Sequence, residues 1–343
     1  MNALFIVGSP FQCLCAFEAI QEFSVSNPEF EIVSDNTMSR LAQTYKILDS
    51  KGYRYHTKCT QVGLLKRCLN HLEFLINYHI RTIILRHPKY DYLFVGDYRF
   101  GFSNALFHQY EIKKGGKVIY LDDGAGTISV LKGLYIPKNE ELKEREYFEY
   151  CCKKEHICTD IFYTVFNRLK SEKFTILENK FNFLRNNLES NARGVYFIGT
   201  NFDSYCRHSH IGLEELKNQF ISLCSELNSC GVSEISYIPH GRDTKHLFRE
   251  ICRKESVQYL ETQTCVEDTF YSKRINPSIV LGYGSTALFT IKKMYPFAVV
   301  VNILNNAPNK DFDRKYKIIA EEYASEGIIT ITDITDLSKF INK

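Results

Sequence analysis

Short apolar runs closed by glycine or proline alternate along this chain with longer stretches of helical spacing. Residues 3–7 are apolar and stop at Gly8-Ser9-Pro10, and Phe11, Leu14, Ala16, Phe17 and Ile20 then recur at helical intervals. Ser9 as cap with Pro10 in the first position predicts where that helix begins. The same rhythm predicts strands at 30–33, 53–57, 92–95 and 117–121, with helices over 44–48, 63–87 and 103–109. Residues 135–190 are charged and aromatic, with helical spacing over 162–169 and 181–188, and 190–194 reads as a linker. A second series follows. It has strands at 195–198, 235–238, 257–260, 278–281, 297–302 and 328–331, and helices over 213–227, around His246 and Phe248, and over 287–294.

Strands alternating with helices predict parallel sheets. A chain of 343 residues is comfortable for two domains. The expected architecture is α/β: two Rossmann-like domains, 1–190 and 191–343, facing each other across a cleft. Composition narrows the function only a little. The apolar and charged fractions are those of a globular protein, and a formal charge of +3 does not argue for nucleic acid. The twelve cysteines form no CxxC pair, and reduced thiols are the simplest account of them. Cys151, Cys152, His156 and Cys158 cluster, but their spacing fits no common zinc site. The apolar run at 4–7 is too short for a signal peptide, and no run is long enough to span a membrane. The basic stretch 63–87 is either a surface helix or a contact for an anionic membrane surface.

Candidate chemistry sits at the strand tips, where open α/β sheets bind ligands. The run 234–243 puts His240 and Arg242 just beyond an apolar strand ended by Pro239. There a histidine can handle a proton and an arginine can meet an anion, although a loop histidine bonded to a backbone carbonyl is the plainer reading. The strand ending at Leu121 delivers Asp122-Asp123-Gly124. That pair is either a capped turn or a base with a second carboxylate orienting it. Gly284, Ser285 and Thr286 open a helix, an arrangement that can bind an anion or simply cap the helix. Gly199 and Thr200 end one strand, and Asp97 and Arg99 another, where Arg99 faces an acceptor or pairs with a surface carboxylate. Gln12 lies one turn into the first helix. Neither half carries GxGxxG after a strand, nor a Walker A sequence.

Asp-Asp-Gly after a strand, a later strand-tip histidine, then Glu267 and the Ser285-Thr286 pair resemble the bacterial sialyltransferases of the lipooligosaccharide and capsule polysialyltransferase type. The opening Gly8-Ser9-Pro10-Phe11-Gln12 is similar to that of the lipooligosaccharide group. One departure is that His240 follows a proline and precedes Gly241, where the family usually has His-Pro.

The resemblance implies an inverting transferase that needs no metal or other cofactor and takes CMP-sialic acid as donor. Its acceptor would be a glycan, galactose-terminated, on a lipid or a surface polysaccharide. Asp122 or Asp123 would be the base, with Asp123 favoured, and His240 would protonate or hydrogen-bond the leaving phosphate. Ser285 and Thr286 would hold that phosphate, with Gly284 in the same turn, Arg242 as a further anion partner and Glu267 on the ribose. Gly199 and Thr200 would lie near the nucleotide, and Gly8, Ser9, Gln12, Asp97 and Arg99 on the acceptor side. The expected location is the bacterial cytoplasm, with peripheral contact at the inner face of the membrane and no nucleic-acid partner. Asp311-Phe312-Asp313 has the DxD form of metal-dependent glycosyltransferases, but its polar, lysine-flanked context predicts a surface loop. The rivals are a transferase using CMP-Kdo or a UDP-sugar, a hydrolase working through the Asp-Asp pair, and a non-catalytic nucleotide-sugar binder.

Overall fold

The computed structural model describes residues 1–34, 38–59, 88–99, 105, 108–185, 192–243 and 245–341. The predicted helix over 63–87, most of that over 103–109, and part of the predicted linker lie outside the described residues. The chain divides into two compact units, Met1–Lys180 and Phe181–Lys343. This division falls ten residues before the expected boundary at 190, and Phe183, just beyond it, packs on Tyr271 of the second unit with ring centroids 6.4 Å apart.

In the first unit the strands are β1 (Asn2–Val7), β2 (Asn27–Ser34), β3 (Tyr55–Cys59), β4 (Tyr90–Val95), β5 (Ile112–Tyr120), β6 (Cys158–Thr164) and β7 (Thr175–Glu178). They form one sheet in the order β3-β2-β1-β4-β5-β6-β7, and every pair is parallel. Its helices are α1 (Pro10–Glu22), α2 (Met38–Ser50), α3 (Ala125–Leu131) and α4 (Asn139–Lys154). The second unit has β8 (Val195–Ile198), β9 (Ile235–Ile238), β10 (Gln258–Tyr259), β11 (Ile279–Gly282), β12 (Val299–Ile303) and β13 (Ile329–Ile331). Their order is β10-β9-β8-β11-β12-β13, again all parallel. Around that sheet lie α5 (Asn182–Arg185), α6 (Phe202–Ser209), α7 (Leu213–Ser229), α8 (Arg249–Lys254), α9 (Val266–Ser272), α10 (Thr286–Met294), α11 (Lys310–Ser325) and α12 (Ser338–Ile341).

Parallel strands covered on both faces are apolar at every position rather than at alternate ones. All four residues of β9, and all four of β11, are buried. In the first unit Phe5 stacks between Phe94 and Phe30, with ring centroids 4.4 and 5.1 Å away. The same rule explains one correction. Residues 162–169 have helical spacing, but Phe162 and Tyr163 belong to β6, a strand buried on both faces whose short apolar run reads equally well as a helix. A second correction concerns Asp311-Phe312-Asp313, which forms the first turn of α11 rather than a loop. Asn309 caps that turn, Phe312 stacks on Tyr316, and Asp313 pairs with Lys317 at 2.8 Å.

Among the described residues no helix is long and apolar enough to cross a membrane. The ten described cysteine side chains are free thiols, and Cys152 is buried in α4.

Strand order reverses between β1 and β4 in the first unit and between β8 and β11 in the second. Neighbouring connections leave those tips in opposite directions, which opens a crevice at the carboxyl ends of the strands.

Away from that edge, Glu31 on β2 is 3 % exposed and accepts from two histidines on one oxygen: His56 Nε2 at 2.9 Å and His108 Nε2 at 3.0 Å. The other ring nitrogen of His108 meets Glu111 at 2.6 Å. Burial opposes a charge on His108, but the Glu111 and Glu31 carboxylates outweigh it and push the imidazole up to about 9. Burial likewise opposes the Glu31 charge, and the His108 contact overcomes it, holding the carboxyl down to about 2. The histidine's contribution to stability is therefore full below its ordinary 6.5 and lost as pH rises through about 9. The glutamate's is full above 4.5 and lost as pH falls towards 2. NMR is expected to show His108 still protonated at pH 8. The urea midpoint of the first unit should fall between pH 6.5 and 9, and fall less in His108→Gln.

Candidate functional site

At the β1 tip, Ser9 caps α1 by accepting the Gln12 N–H at 3.2 Å, with Pro10 in the first helical position as the sequence predicts. That cap turns the Gln12 side chain back over the sheet edge. Its Oε1 accepts the Gly8 N–H at 2.6 Å, and its Nε2 donates to Asp123 Oδ1 at 2.8 Å. Gly96, beyond β4, leaves the space: a Cβ there would lie 2.4 Å from Gln12 Oε1.

Asp97 and Arg99 follow on the same turn. The Arg99 N–H donates to Asp97 Oδ1 at 2.8 Å, and its guanidinium bonds both Asp97 oxygens at 3.1 Å. The same guanidinium pairs with Asp123 Oδ2. Gly126, in the first turn of α3, is the floor on which it lies, since a Cβ there would come within 2.6 Å of Arg99 Cζ. Thr127 steadies the loop by accepting the Asp123 N–H at 2.9 Å. The side chain of Asp123 keeps 19 % exposure. Burial, and then the neighbouring Asp97 carboxylate, push Asp123 up to about 7 against the pull of Arg99, Arg40 and Gln12. A carboxyl at that value and at a strand tip is suited to general-base work near neutral pH.

Asp122 points the other way. It has no exposure, and it accepts the Thr164 hydroxyl at 2.5 Å and the Val165 N–H at 2.8 Å, tying the β5 tip to the end of β6. Burial raises it to about 7 as well, but no solvent reaches it. The adjacent carboxylates are thus separated into one structural and one accessible group. Thr164 gives no sign of this role in the sequence, because the apolar spacing over 162–169 predicts a helix. Gly96 and Gly126 have no side chain to mark them.

In the second unit Gly199 ends β8, and its N–H donates to the Ile238 carbonyl at 2.8 Å. A Cβ there would strike Tyr237 Oη at 2.6 Å and sit 3.2 Å from the His240 nitrogen, so glycine permits the close approach of the two tips. Thr200 follows, half-buried. His240 lies half-buried past β9, and its Nδ1 accepts the Arg242 N–H at 3.1 Å. That bond places the ring proton of the neutral imidazole on Nε2. Arg242 contributes this backbone contact while its side chain is exposed.

The Gly284 N–H is taken by Asn302 Oδ1 at 2.8 Å, and the glycine has φ +54° with a Cβ position filled by the Tyr316 ring. Ser285 is the N-cap of α10 and makes no capping bond through its side chain, and Thr286 is the first helical residue. No acidic residue lies in that first turn. Glu267, expected on a ribose, is only 4 % exposed, and its Oε1 accepts the Thr290 hydroxyl of α10 at 2.7 Å. Burial raises its carboxyl above the usual range. Within each unit the predicted residues therefore gather at one sheet edge, except Asp122 and Glu267, which turn into the protein. Among the described residues no group of three metal-ligating side chains is placed to hold an ion.

Solved structures with this chain order exist. An α/β-galactoside α-2,3-sialyltransferase from Photobacterium phosphoreum is similar with TM-score 0.54 and 11 % identity, covering 98 % of this chain and 99 % of that one. A putative UDP-N-acetylglucosamine 2-epimerase from Listeria monocytogenes gives 0.52 and 12 %, over 100 % of this chain and 89 % of its own. MnaA of S. aureus, in its UDP co-structure, gives 0.52 and 10 %, over 94 % and 88 %. No protein-family model matches the chain, and no curated protein does. The likeness is one of fold, and the fold class is GT-B: α/β, with two Rossmann-like units in succession.

Replacing Asp122 by Ala leaves the Thr164 hydroxyl and the Val165 N–H without their acceptor. This is expected to cost the first unit about 1–3 kcal/mol, read as a lower urea midpoint. Asp123→Ala leaves Arg99 still paired with Asp97 and is expected to shift the midpoint far less.

Proposed function

We propose that this protein is a glycosyltransferase using a nucleotide-sugar donor, and specifically an inverting sialyltransferase acting on CMP-sialic acid. The observation that carries the reading is Asp123: a carboxylate raised to about 7 at the β5 tip, oriented by Gln12 and Arg99, which come from the two strands flanking the strand-order reversal of the first unit. In the reaction an acceptor hydroxyl attacks the anomeric carbon, and Asp123 takes its proton. The bond to the CMP phosphate breaks on the opposite face, so the configuration inverts.

The departing phosphate gains negative charge, which fixed donors meet at no reorganisation cost. His240 supplies one such donor. Nδ1 accepts the Arg242 N–H, so His240 hydrogen-bonds or protonates the phosphate through Nε2. The start of α10, with Ser285 and Thr286, adds a helix N-terminus and two hydroxyls. Gly199 and Thr200 line the nucleotide. Glu267 acts through α10, holding it by Thr290. No step in this scheme calls for a divalent ion. The acceptor is a glycan, galactose-terminated in the family that the motifs resemble.

The test incubates the protein in EDTA with CMP-Neu5Ac and a panel of galactosides, following CMP and sialylated product. Parallel arms offer CMP-Kdo and UDP-N-acetylglucosamine. The proposal expects product from CMP-Neu5Ac in EDTA. Losses of about 10²–10⁴-fold are expected in Asp123→Ala and of about 10²–10³-fold in His240→Ala. Because the working base is the ionised form, kcat/KM should climb with pH through about 7. Turnover confined to another donor would overturn the sialyl assignment and keep the transferase. Consumption of no nucleotide sugar would overturn both.

A further inference from the structure

Gln12 is 2 % exposed, yet it lies at the sheet edge with both of its amide atoms engaged. In a Rossmann unit the N–H groups after the first strand and the helix N-terminus face the ligand. Here the Gly8 N–H is instead occupied by the chain's own glutamine, and the far end of that amide reaches a carboxylate 111 residues away. The space it occupies exists only because residue 96 has no side chain.

We propose that Gln12 is the positioning residue of Asp123, its Nε2–H fixing the direction of the carboxylate and favouring its ionised form, with Gly96 the space that admits it. This rests on the reading of Asp123 as the base. Among the described residues the charged and polar groups facing Asp123 are Asp97 and Arg99 from the β4 tip, Arg40 from α2, Gln12 from α1 and, on its own N–H, Thr127. Gln12 is neutral, so replacing it by another neutral group leaves every charge in place. A donor removed from a carboxylate raises its titration.

The decisive variant is Gln12→Met, which keeps the length of the side chain and loses the donor. Gly96→Ala displaces the amide without deleting it. Carboxyl ¹³C NMR of aspartate-labelled protein, followed from pH 4 to 10, reads Asp123 directly and needs no turnover. Both variants are expected to titrate about one pH unit above the wild type. The rising limb of kcat/KM should move by the same amount, with KM for the donor unchanged. Gln12→Glu, which still accepts the Gly8 N–H but brings a second anion, should move further. An unchanged Asp123 titration in folded Gln12→Met overturns the proposal and leaves Gln12 a packing residue. A shifted titration in a protein with no turnover on any nucleotide sugar upholds the positioning and overturns the transferase reading, so the two failures are distinct.

Discussion

One carboxylate, Asp123, holds three strand tips together. Gln12 reaches it from behind β1, Arg99 from beyond β4, and its own backbone closes the turn after β5. Each long side chain lies where a glycine has no Cβ, Gln12 over Gly96 and Arg99 over Gly126. The constraint is steric before it is electrostatic. A methyl group at either glycine would displace a partner of Asp123 without touching the carboxylate. Burial and Asp97 lift that carboxyl while Arg99, Arg40 and Gln12 lower it, and a value near neutrality is what remains of these opposed effects.

The adjacent Asp122 shows why two neighbouring carboxylates can have unrelated work. Successive side chains in extended backbone point to opposite sides, so a pair at the end of a strand divides between core and edge. Asp122 faces the β6 end, where a hydroxyl and a backbone N–H replace the water it has lost. Removing those donors would leave a buried carboxyl without partners, which costs more than losing a surface interaction.

Much of this was legible in the chain. The strand ends, the Ser9 cap with Pro10, and the positions of Asp123 in the first unit and of His240 and Ser285 in the second, each at carboxyl tips, follow from local pattern, because apolar runs and turn residues act over a few positions. The direction in which Asp122 points did not follow, since it depends on Thr164, in a segment whose apolar spacing fits a helix as well as a buried strand. The amide linking Gln12 to Asp123 spans 111 residues, and no local rule reports it. The inward turn of Glu267 is hidden for the same reason. Its partner Thr290 is 23 residues on, and a glutamate in a first helical turn usually looks outward.

The two units use the same topology to different ends. In the first, the glycine N–H at the reversal is closed by a neutral amide, and the edge centres on a carboxylate that a phosphate would repel. In the second, Gly284 is also closed, by Asn302, but the helix that follows begins without an acidic residue, and the nearby imidazole is set with its proton on Nε2. An edge with a carboxylate at its centre favours a hydroxyl that must lose a proton. An edge built from a helix N-terminus and a ring donor favours an anion that must be held as it leaves. That asymmetry, rather than the fold the two units share, is the physical ground for proposing acceptor activation in the first unit and donor binding in the second.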